Sequence, residues 1–425
     1  MRRDRKVLIG ALASIAMLAG CAATPTPAET TDAVSPEETV EEAVTISYTN
    51  FISNGGNEEN LDKIVQAFQA ENPNITVEVT TLPYGDYGTA LQTDVAAGTL
   101  ADVFDIEYSN YQELQVNGVL APVEVSDPSI YKQGLLDAYS TDGTSYALPS
   151  GFSTVVLFYN KDLFDAAGLD YPTSDWTWED EKEAGLALTD EATGVWGNHQ
   201  PVSFYEFYKV LAQAGGDFLN ADRTAVAFNS PEGIEAATWL VEKSGTTMPT
   251  IEEGQGTPDF DTNLFNEGKL GMLHTGIWMF GAFADAPFAW DVEVEPGNKT
   301  SAHAAFSNAV GINSDSANKV AAAKWAEYLT SSDIMVETRL AAGWELPPVA
   351  DEDKLAPYLT MGSPANRKAV FDAMNEVAMV PVVASGQSEM QDIMGRELVE
   401  AQAGRKTVQE ALATAEEEIN ALIGG

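Results

Sequence analysis

Residues 145–169, SYALPSGFSTVVLFYNKDLFDAAGL, constrain the fold more than any other stretch of this chain. The apolar run Val155–Tyr159 is too short for a helix and rich in β-branched and aromatic residues, so it reads as a buried strand. It is entered through Pro149-Ser150-Gly151, a break at which the chain can change direction. Asn160 then caps a short helix over 162–167 that stops at Gly168. A strand entered at a break and left through a capped turn suits a crossing between two lobes. Ligands in two-lobed α/β proteins bind beside such crossings, so the cleft is expected here.

Upstream, the order is strand, helix, strand, helix, strand. Val44–Tyr48 alternates, Leu61, Ile64, Val65 and Phe68 share a helical face, and Ile75, Val77 and Val79 alternate again. Tyr87, Leu91 and Val95 mark a helix that closes at Gly98, and 101–106 gives a third strand. That order implies a parallel sheet with right-handed crossovers. Its carboxyl edges present the loops 50–57 and 105–111 toward the cleft. Downstream, Thr177 caps a helix with Glu179 and Asp180 in its first turn. Helices are expected over 204–214, 234–241, 261–266 and 317–329, and a buried strand ends at His274. Residues 308–312 look like another strand of the parallel type, and Thr407 with Glu410 forms a capping box for the last helix. A chain of 425 residues has room for two cores.

Charge narrows the partners. With 65 acidic against 22 basic residues the formal charge is −43, and no basic stripe is present to neutralise phosphates, so nucleic acid is not an expected partner. The excess reads as the solvated surface of an exported protein. At the start, Arg2, Arg3, Arg5 and Lys6 precede an apolar stretch, 7–19, too short to span a bilayer. Leu18-Ala19-Gly20-Cys21 looks like the lipobox of bacterial lipoproteins. That resemblance implies cleavage before Cys21, the only cysteine, and a lipid anchor on it at the outer face of the cell membrane. Residues 22–42, rich in Thr, Pro, Ala and Glu, read as a disordered tether.

Behind this signal a series of short markers runs in order: Ala101-Asp102-Val103-Phe104-Asp105, Gly118-Val-Leu120-Ala-Pro122, Phe158-Tyr159-Asn160-Lys161-Asp162-Leu163, Thr177-Trp178-Glu179, Phe265-Asn-Glu-Gly268-Lys269-Leu-Gly-Met272, Gly276-Ile-Trp278 and Gly404-Arg-Lys-Thr407-Val-Gln-Glu410. Together they resemble the substrate-binding lipoproteins of bacterial ABC importers, in the solute-binding family 1 that includes the maltose-binding proteins. The resemblance implies an α/β, two-lobed periplasmic-binding-protein-like fold of type II, with a ligand cleft between lobes joined by hinge crossings. Behind a signal (1–20) and a linker (21–43), the lobes would be 44–153 plus 308–345 and 154–307 plus 346–425. It further implies capture of a carbohydrate, an oligosaccharide first of all, and delivery to permease subunits with their ATPase. A monomer without cofactor is expected.

Sugars offer apolar faces and a rim of hydroxyls, so a site needs aromatic platforms with carboxylates and amides. Trp278 occupies the family's Gly-x-Trp position, where the matching aromatic stacks on sugar. Tyr205 matches a family aromatic that faces the sugar. Asn54, Asp105, Glu107 and Tyr108 lie in loops at strand ends, where the family places hydroxyl-binding groups. Ser153 stands at the crossing where maltose binders carry a glutamate, which argues against maltose itself. Trp344 sits at a return crossing, and Glu389 falls where some members carry a stacking aromatic. Against each stands a plainer role: core packing for the rings, solvation for the carboxylates.

Motifs for catalysis are missing: there is no Gly-x-Ser-x-Gly and no His-Glu-x-x-His. His199, His274 and His303 are scattered and expected to be structural. Asp259-x-Asp261-x-Asn263 starts like a calcium loop, but Leu264 and Leu270 replace the turn glycine and final glutamate. Two alternatives stay open. One is a binding protein for another solute such as a polyamine, held by acidic cleft residues. The other is a surface enzyme acting on glycans.

Overall fold

A computed structural model describes residues 33–37, 42–52, 57–255, 257, 259–383 and 386–423. The signal stretch, Cys21 and Asn54 lie outside the described residues. The first half is built as its periodicity predicts. Strand β1 (Val44–Asn50) buries Ile46, Tyr48 and Asn50 on alternate positions. Helix α1 (Asn57–Glu71) buries Leu61, Ile64, Val65 and Phe68. Strand β2 (Ile75–Thr81) pairs parallel to β1, and helix α2 (Tyr84–Ala97) closes on Gly98 at φ 68°. Strand β3 (Val103–Glu107) joins β1 on its other edge, also parallel.

Here the first correction falls. Glu107 ends β3 and Tyr108 begins helix α3 (Tyr108–Val116), so Asp105, Glu107 and Tyr108 sit on regular elements and not in a loop. The strand continues through Glu107, one residue beyond its apolar run, and the helix starts without a side-chain cap to announce it.

The crossing strand is longer than its apolar run. Strand β4 (Ala147–Asn160) runs for fourteen residues, all of them buried. Pro149-Ser150-Gly151 does not turn the chain. Pro149 faces Ala309 and Gly151 faces Asn308, leaving Ser150 as the extra residue of a bulge. A proline without an N–H is tolerated in a strand at such a bulge. Past it, Asn160 accepts from the backbone N–H of Leu163 at 3.2 Å and caps helix α4 (Lys161–Ala167), which stops at Gly168, φ 67°.

Helix α5 (Trp178–Leu188) opens on the expected Thr177 cap, with Asp180 closing the capping box. Strand β5 (Trp196–His199), helix α6 (Phe204–Gln213) and helix α7 (Pro231–Val241) follow. Helix α8 (Phe260–Asn266) leads into strand β6 (Leu270–Gly276), then β7 (Trp290–Glu293) and β8 (His303–Ile312). The chain ends through helices α9 (Lys319–Ser331), α10 (Asp333–Ala342), α11 (Gln387–Gln402) and α12 (Val408–Ile423).

The main sheet has the order β2-β1-β3-β8-β4-β6-β5, with β7 paired to β4. Strand β8 is a second correction: it runs antiparallel to both β3 and β4. A short run buried on both faces has the same composition in either direction, so its sequence could not choose. Strand β4 changes partners along its length: 147–154 pair with β8, and 155–160 pair with β6 and β7. A third difference lies before β1. Val34, in the stretch read as tether, donates to Pro122 at 3.0 Å and accepts from Glu124 at 2.8 Å, so the chain is held at that point.

Trp325 anchors the first half, edge-on to Tyr48 and Phe68, and Phe204, Phe207, Phe218 and Phe228 fill a second cluster. Among the described residues, no helix is long and apolar enough to cross a membrane.

Candidate functional site

The carboxyl ends of β1 and β3 bring Asn50, Asp105 and Glu107 together. Asp105 is buried, and its carboxylate accepts from the Tyr48 hydroxyl at 2.6 Å. Burial raises its pKa to about 7, against the opposing pull of Tyr48 and the Arg339 guanidinium. Arg339, near the end of α10, is itself buried and lies 4.1 Å above the Trp344 ring. Its Nη1 is 3.7 Å from Glu345, whose other oxygen accepts from Asn308 Nδ2 at 2.8 Å. Asn308 in turn faces Glu107 on one side and Gly151 on the other. A Cβ on Gly151 would fall 2.8 Å from Glu345 Oε2 and 3.0 Å from Arg339 Nη1, so only glycine leaves this pair its place.

A wall of rings adjoins this cluster through β8. Phe306, facing Ser153 across the β8–β4 ladder, meets Tyr205 edge-on at 5.6 Å and Trp278 at 5.7 Å. Trp278 follows β6, and its indole folds back over the backbone: a Cβ on Gly276 would lie 1.9 Å from the ring. Tyr205 reaches Gln391 on α11 at 3.4 Å, and burial and then the Glu107 carboxylate raise its phenol pKa. Glu107 accepts from Tyr84 of α2 at 2.8 Å. Burial lifts the Glu107 pKa while the Tyr84 hydrogen bond lowers it. The first-half carboxylate therefore lies near enough to act on the second-half phenol.

Several buried polar atoms here have no hydrogen-bond partner: Asn50 Nδ2, Ser153 Oγ, Arg339 Nε and Nη1, Tyr208 OH and Gln391 Nε2. Such atoms are rare in folded proteins, and a water or a polar ligand admitted to the region would complete their bonding. Donors, acceptors and flat rings in one region suit a hydroxylated, ring-containing molecule.

Of the residues singled out from sequence, Tyr205 and Trp278 share Phe306, while Asp105, Glu107 and Trp344 join through Arg339, Glu345 and Asn308. Ser153 lies beneath Phe306. Tyr108 packs edge-on to Tyr139 at 6.0 Å. Glu389 is exposed on the first turn of α11, two residues before Gln391. Tyr84, Phe306, Asn308, Arg339, Glu345 and Gln391 were not foreseen. Arg339 alone carried a signal, as one of five arginines after the signal stretch. The others are placed by strand register and helix docking, which no local pattern encodes.

His274 has the structural role its sequence setting suggested: its Nδ1 is 2.7 Å from Glu295, and its Nε2 is 3.1 Å from Glu181. Glu206, His274 and Glu295 bring ligand-type atoms within 4.8 Å of one another. The Lys209 ammonium already bridges Glu206, at 2.6 Å, and Glu295. A built-in cation thus occupies the position, and the set fits an ion-pair network in place of a metal centre. Lys243 extends it, donating to Glu181 at 2.6 Å and to Gln200.

This architecture recurs in known proteins. The ABC substrate-binding protein Lmo0181 of Listeria monocytogenes, solved in complex with cycloalternan, is 39% identical with a TM-score of 0.85, over 89% of this chain and 99% of that one. The putative binding protein BAB2_0491 of Brucella abortus is 27% identical over 348 residues, 78% of this chain and 82% of the relative. The maltodextrin-binding protein MdxE of Bacillus subtilis is 25% identical over 232 residues, 54% of this chain and 55% of the relative. The likeness carries the two-lobed α/β fold of these solute-binding proteins, with a mixed sheet. Since the model of the bacterial extracellular solute-binding proteins matches residues 54–336, this chain belongs to that family.

Proposed function

We propose that the protein captures an oligosaccharide outside the cytoplasm by hinge closure and delivers it to the permease and ATPase subunits of an ABC importer. The observation that carries this is the opposition of Tyr205, Trp278 and Phe306 to the Asp105–Glu107–Arg339–Glu345 cluster. Rings supply platforms for sugar faces, and the charged and amide groups supply partners for hydroxyls. The cycloalternan complex of the Listeria protein and the maltodextrin relative favour the same ligand class. Family members bind solutes, and this chain is read as a binding protein without turnover.

Within this reading, Trp278, Tyr205, Asp105, Glu107, Tyr108, Ser153 and Trp344 line or support the ligand site, with Arg339 added. Glu389 stays on its rim, and Asn54 is kept as a candidate from the sequence alone. The lobes divide as 44–153 plus 308–345 and 154–307 plus 346–425, in keeping with the change of partners of β4 after Thr154. The mature protein is a monomer held at the membrane by lipid on Cys21.

Calorimetric titration of the protein from Ala22 onward tests the function, using cycloalternan, maltodextrins, arabinooligosaccharides and spermidine. One oligosaccharide is expected to bind intact, and Trp278→Ala to weaken it on the order of 30-fold, about 2 kcal/mol. Binding of spermidine alone would move the protein to the polyamine reading. Release of cleaved sugar would make it an enzyme.

A further inference from the structure

The buried ion network contains one histidine, and its neighbours fix the protonation of that ring. His274 Nδ1 faces Glu295 Oε1 at 2.7 Å and its Nε2 faces Glu181 Oε1 at 3.1 Å. A neutral imidazole has one N–H and one lone pair, so one nitrogen would set its lone pair against a carboxylate oxygen. An imidazolium donates to both. The charges agree: Glu181, Glu206 and Glu295 are met by the ammoniums of Lys209 and Lys243, and all five are buried with His274. A proton on the imidazole brings the set to neutrality, as the interior requires. Burial by itself lowers the His274 pKa, but Glu181 and Glu295 outweigh it and hold the value above the ordinary 6.5.

The network reaches the aromatic wall along two elements. Glu295 Oε1 accepts from His274 on β6 and from Lys209 on α6, so a single oxygen ties that strand to that helix. Helix α6 carries Tyr205 one turn before Lys209 and next to Glu206. On β6, His274 faces Leu157 and Gly276 faces Val155 across the ladder with β4. Alternate residues of a strand share a face, so these two point the same way. The Trp278 indole packs onto that face at Gly276, where a Cβ would lie 1.9 Å from the ring. Imidazole and indole are therefore successive groups along one side of β6, and Phe306 meets both Trp278 and Tyr205.

We propose, on the reading of an interlobe sugar site, that His274 as an imidazolium is a positioning residue for that site. With Lys209 it clamps β6 to α6 through Glu295 and so sets the Trp278 and Tyr205 rings for the sugar. Loss of its proton turns one of its two carboxylate hydrogen bonds into a repulsion, and the clamp opens. Sugar affinity then falls as pH rises through the His274 titration. The other groups around the ring behave differently. Burial lowers His199 and His303, so both discharge before His274 does. Burial also lowers Lys209, but Glu206 and Glu295 carry it above its ordinary 10.5, and burial with Glu206 raises the Tyr208 phenol. Lys243 is lowered by burial, and it donates to Glu181 and Gln200, away from the Glu295 clamp.

Long-range ¹H–¹⁵N spectra of the ¹⁵N-labelled full chain, from about pH 6 to about pH 10, follow the His274 ring and the Trp278 indole N–H together. His274 is assigned through His274→Gln, or by elimination with His199→Gln and His303→Gln should that variant fail to fold. Trp278 is assigned through Trp278→Phe. The expected result is a His274 ring protonated on both nitrogens at about pH 7, with a midpoint above about 6.5. The Trp278 signal should shift with the same midpoint. Affinity for cycloalternan or a maltodextrin should fall about 10-fold or more across that interval, and a folded His274→Gln should lose the pH dependence. A His274 ring neutral at about pH 7, or one still protonated at about pH 10, overturns the proposal. So does a Trp278 signal that ignores the His274 midpoint, or an affinity that stays constant through it. If neither oligosaccharide binds, the importer function loses its support, while the two resonances still decide whether His274 positions Trp278.

Discussion

Glu345 Oε2 stands 2.8 Å from the point where a Cβ on Gly151 would sit, so the crossing strand and the return segment meet through one carboxylate. That carboxylate is also tied to Asn308 and Arg339, which limits where it can move. Gly151→Ala is therefore expected to displace the pair and cost about 1–3 kcal/mol. Urea unfolding should show a lower midpoint with an unchanged slope. A midpoint equal to wild type would mean that the carboxylate moves aside freely.

Asp105 makes stability depend on pH. Its folded pKa, about 7, lies above the ordinary value of 3.8, chiefly because burial disfavours the charge. Between those values the native state holds a proton that the unfolded chain has lost, so stability falls as pH rises from about 4 to about 7. The full effect is about 4 kcal/mol. Asp105→Asn should flatten this slope in unfolding measured across the pH range. An unaltered slope would assign the titration to Glu107 or Glu345, whose pKa values are also raised, chiefly by burial.

The buried network around His274 works in the opposite direction. Burial alone would raise the Glu181 pKa, but Lys243 and His274 hold it down at about 2. Glu295 is likewise held at about 2, by Lys209 and His274 against burial. Depressed carboxylates contribute stability above their unfolded pKa of about 4.5 and lose it as pH falls toward 2. Acid unfolding should accordingly set in below about pH 4.5, and Glu181→Gln should make its onset less steep.

Lys209→Met takes the ammonium from two buried carboxylates, leaving Glu206 only Gln200 and Glu295 only His274, and a loss of about 3–5 kcal/mol is expected. The double variant Lys209→Met/Glu295→Gln should recover part of it. No recovery in a thermal melt would mean that packing around Lys209, not charge, sets the cost.

Asn160→Ala removes the cap of α4 and should cost about 1 kcal/mol. Sugar affinity should not change, since the cap is engaged with Leu163. A change in affinity would tie this helix to the site.

What the sequence carried, and what it did not, follows from range. Helices α1 and α4 were legible because a 3.6-residue stripe and an Asn or Gly at an end act within one turn. Trp278 stood out through its Gly-x-Trp setting. Arg339 acquires its setting from Asp105, more than two hundred residues away, and Glu345 from Asn308 and Gly151, all beyond the reach of a local pattern. The direction of β8 escaped for a related reason: an apolar run records burial but not polarity of pairing. Pro149 misled because a bulge at Ser150, in its own strand, absorbs it, and that register shift appears only when β4 is paired with β8.

The indole of Trp278 occupies the space a side chain at 276 would need. These two positions cannot drift independently. A side chain at 276 requires the indole at 278 to swing away from the backbone and so from Phe306. Libraries that randomise 276 while keeping 278 will therefore disturb the aromatic wall even where the chosen residue never meets ligand.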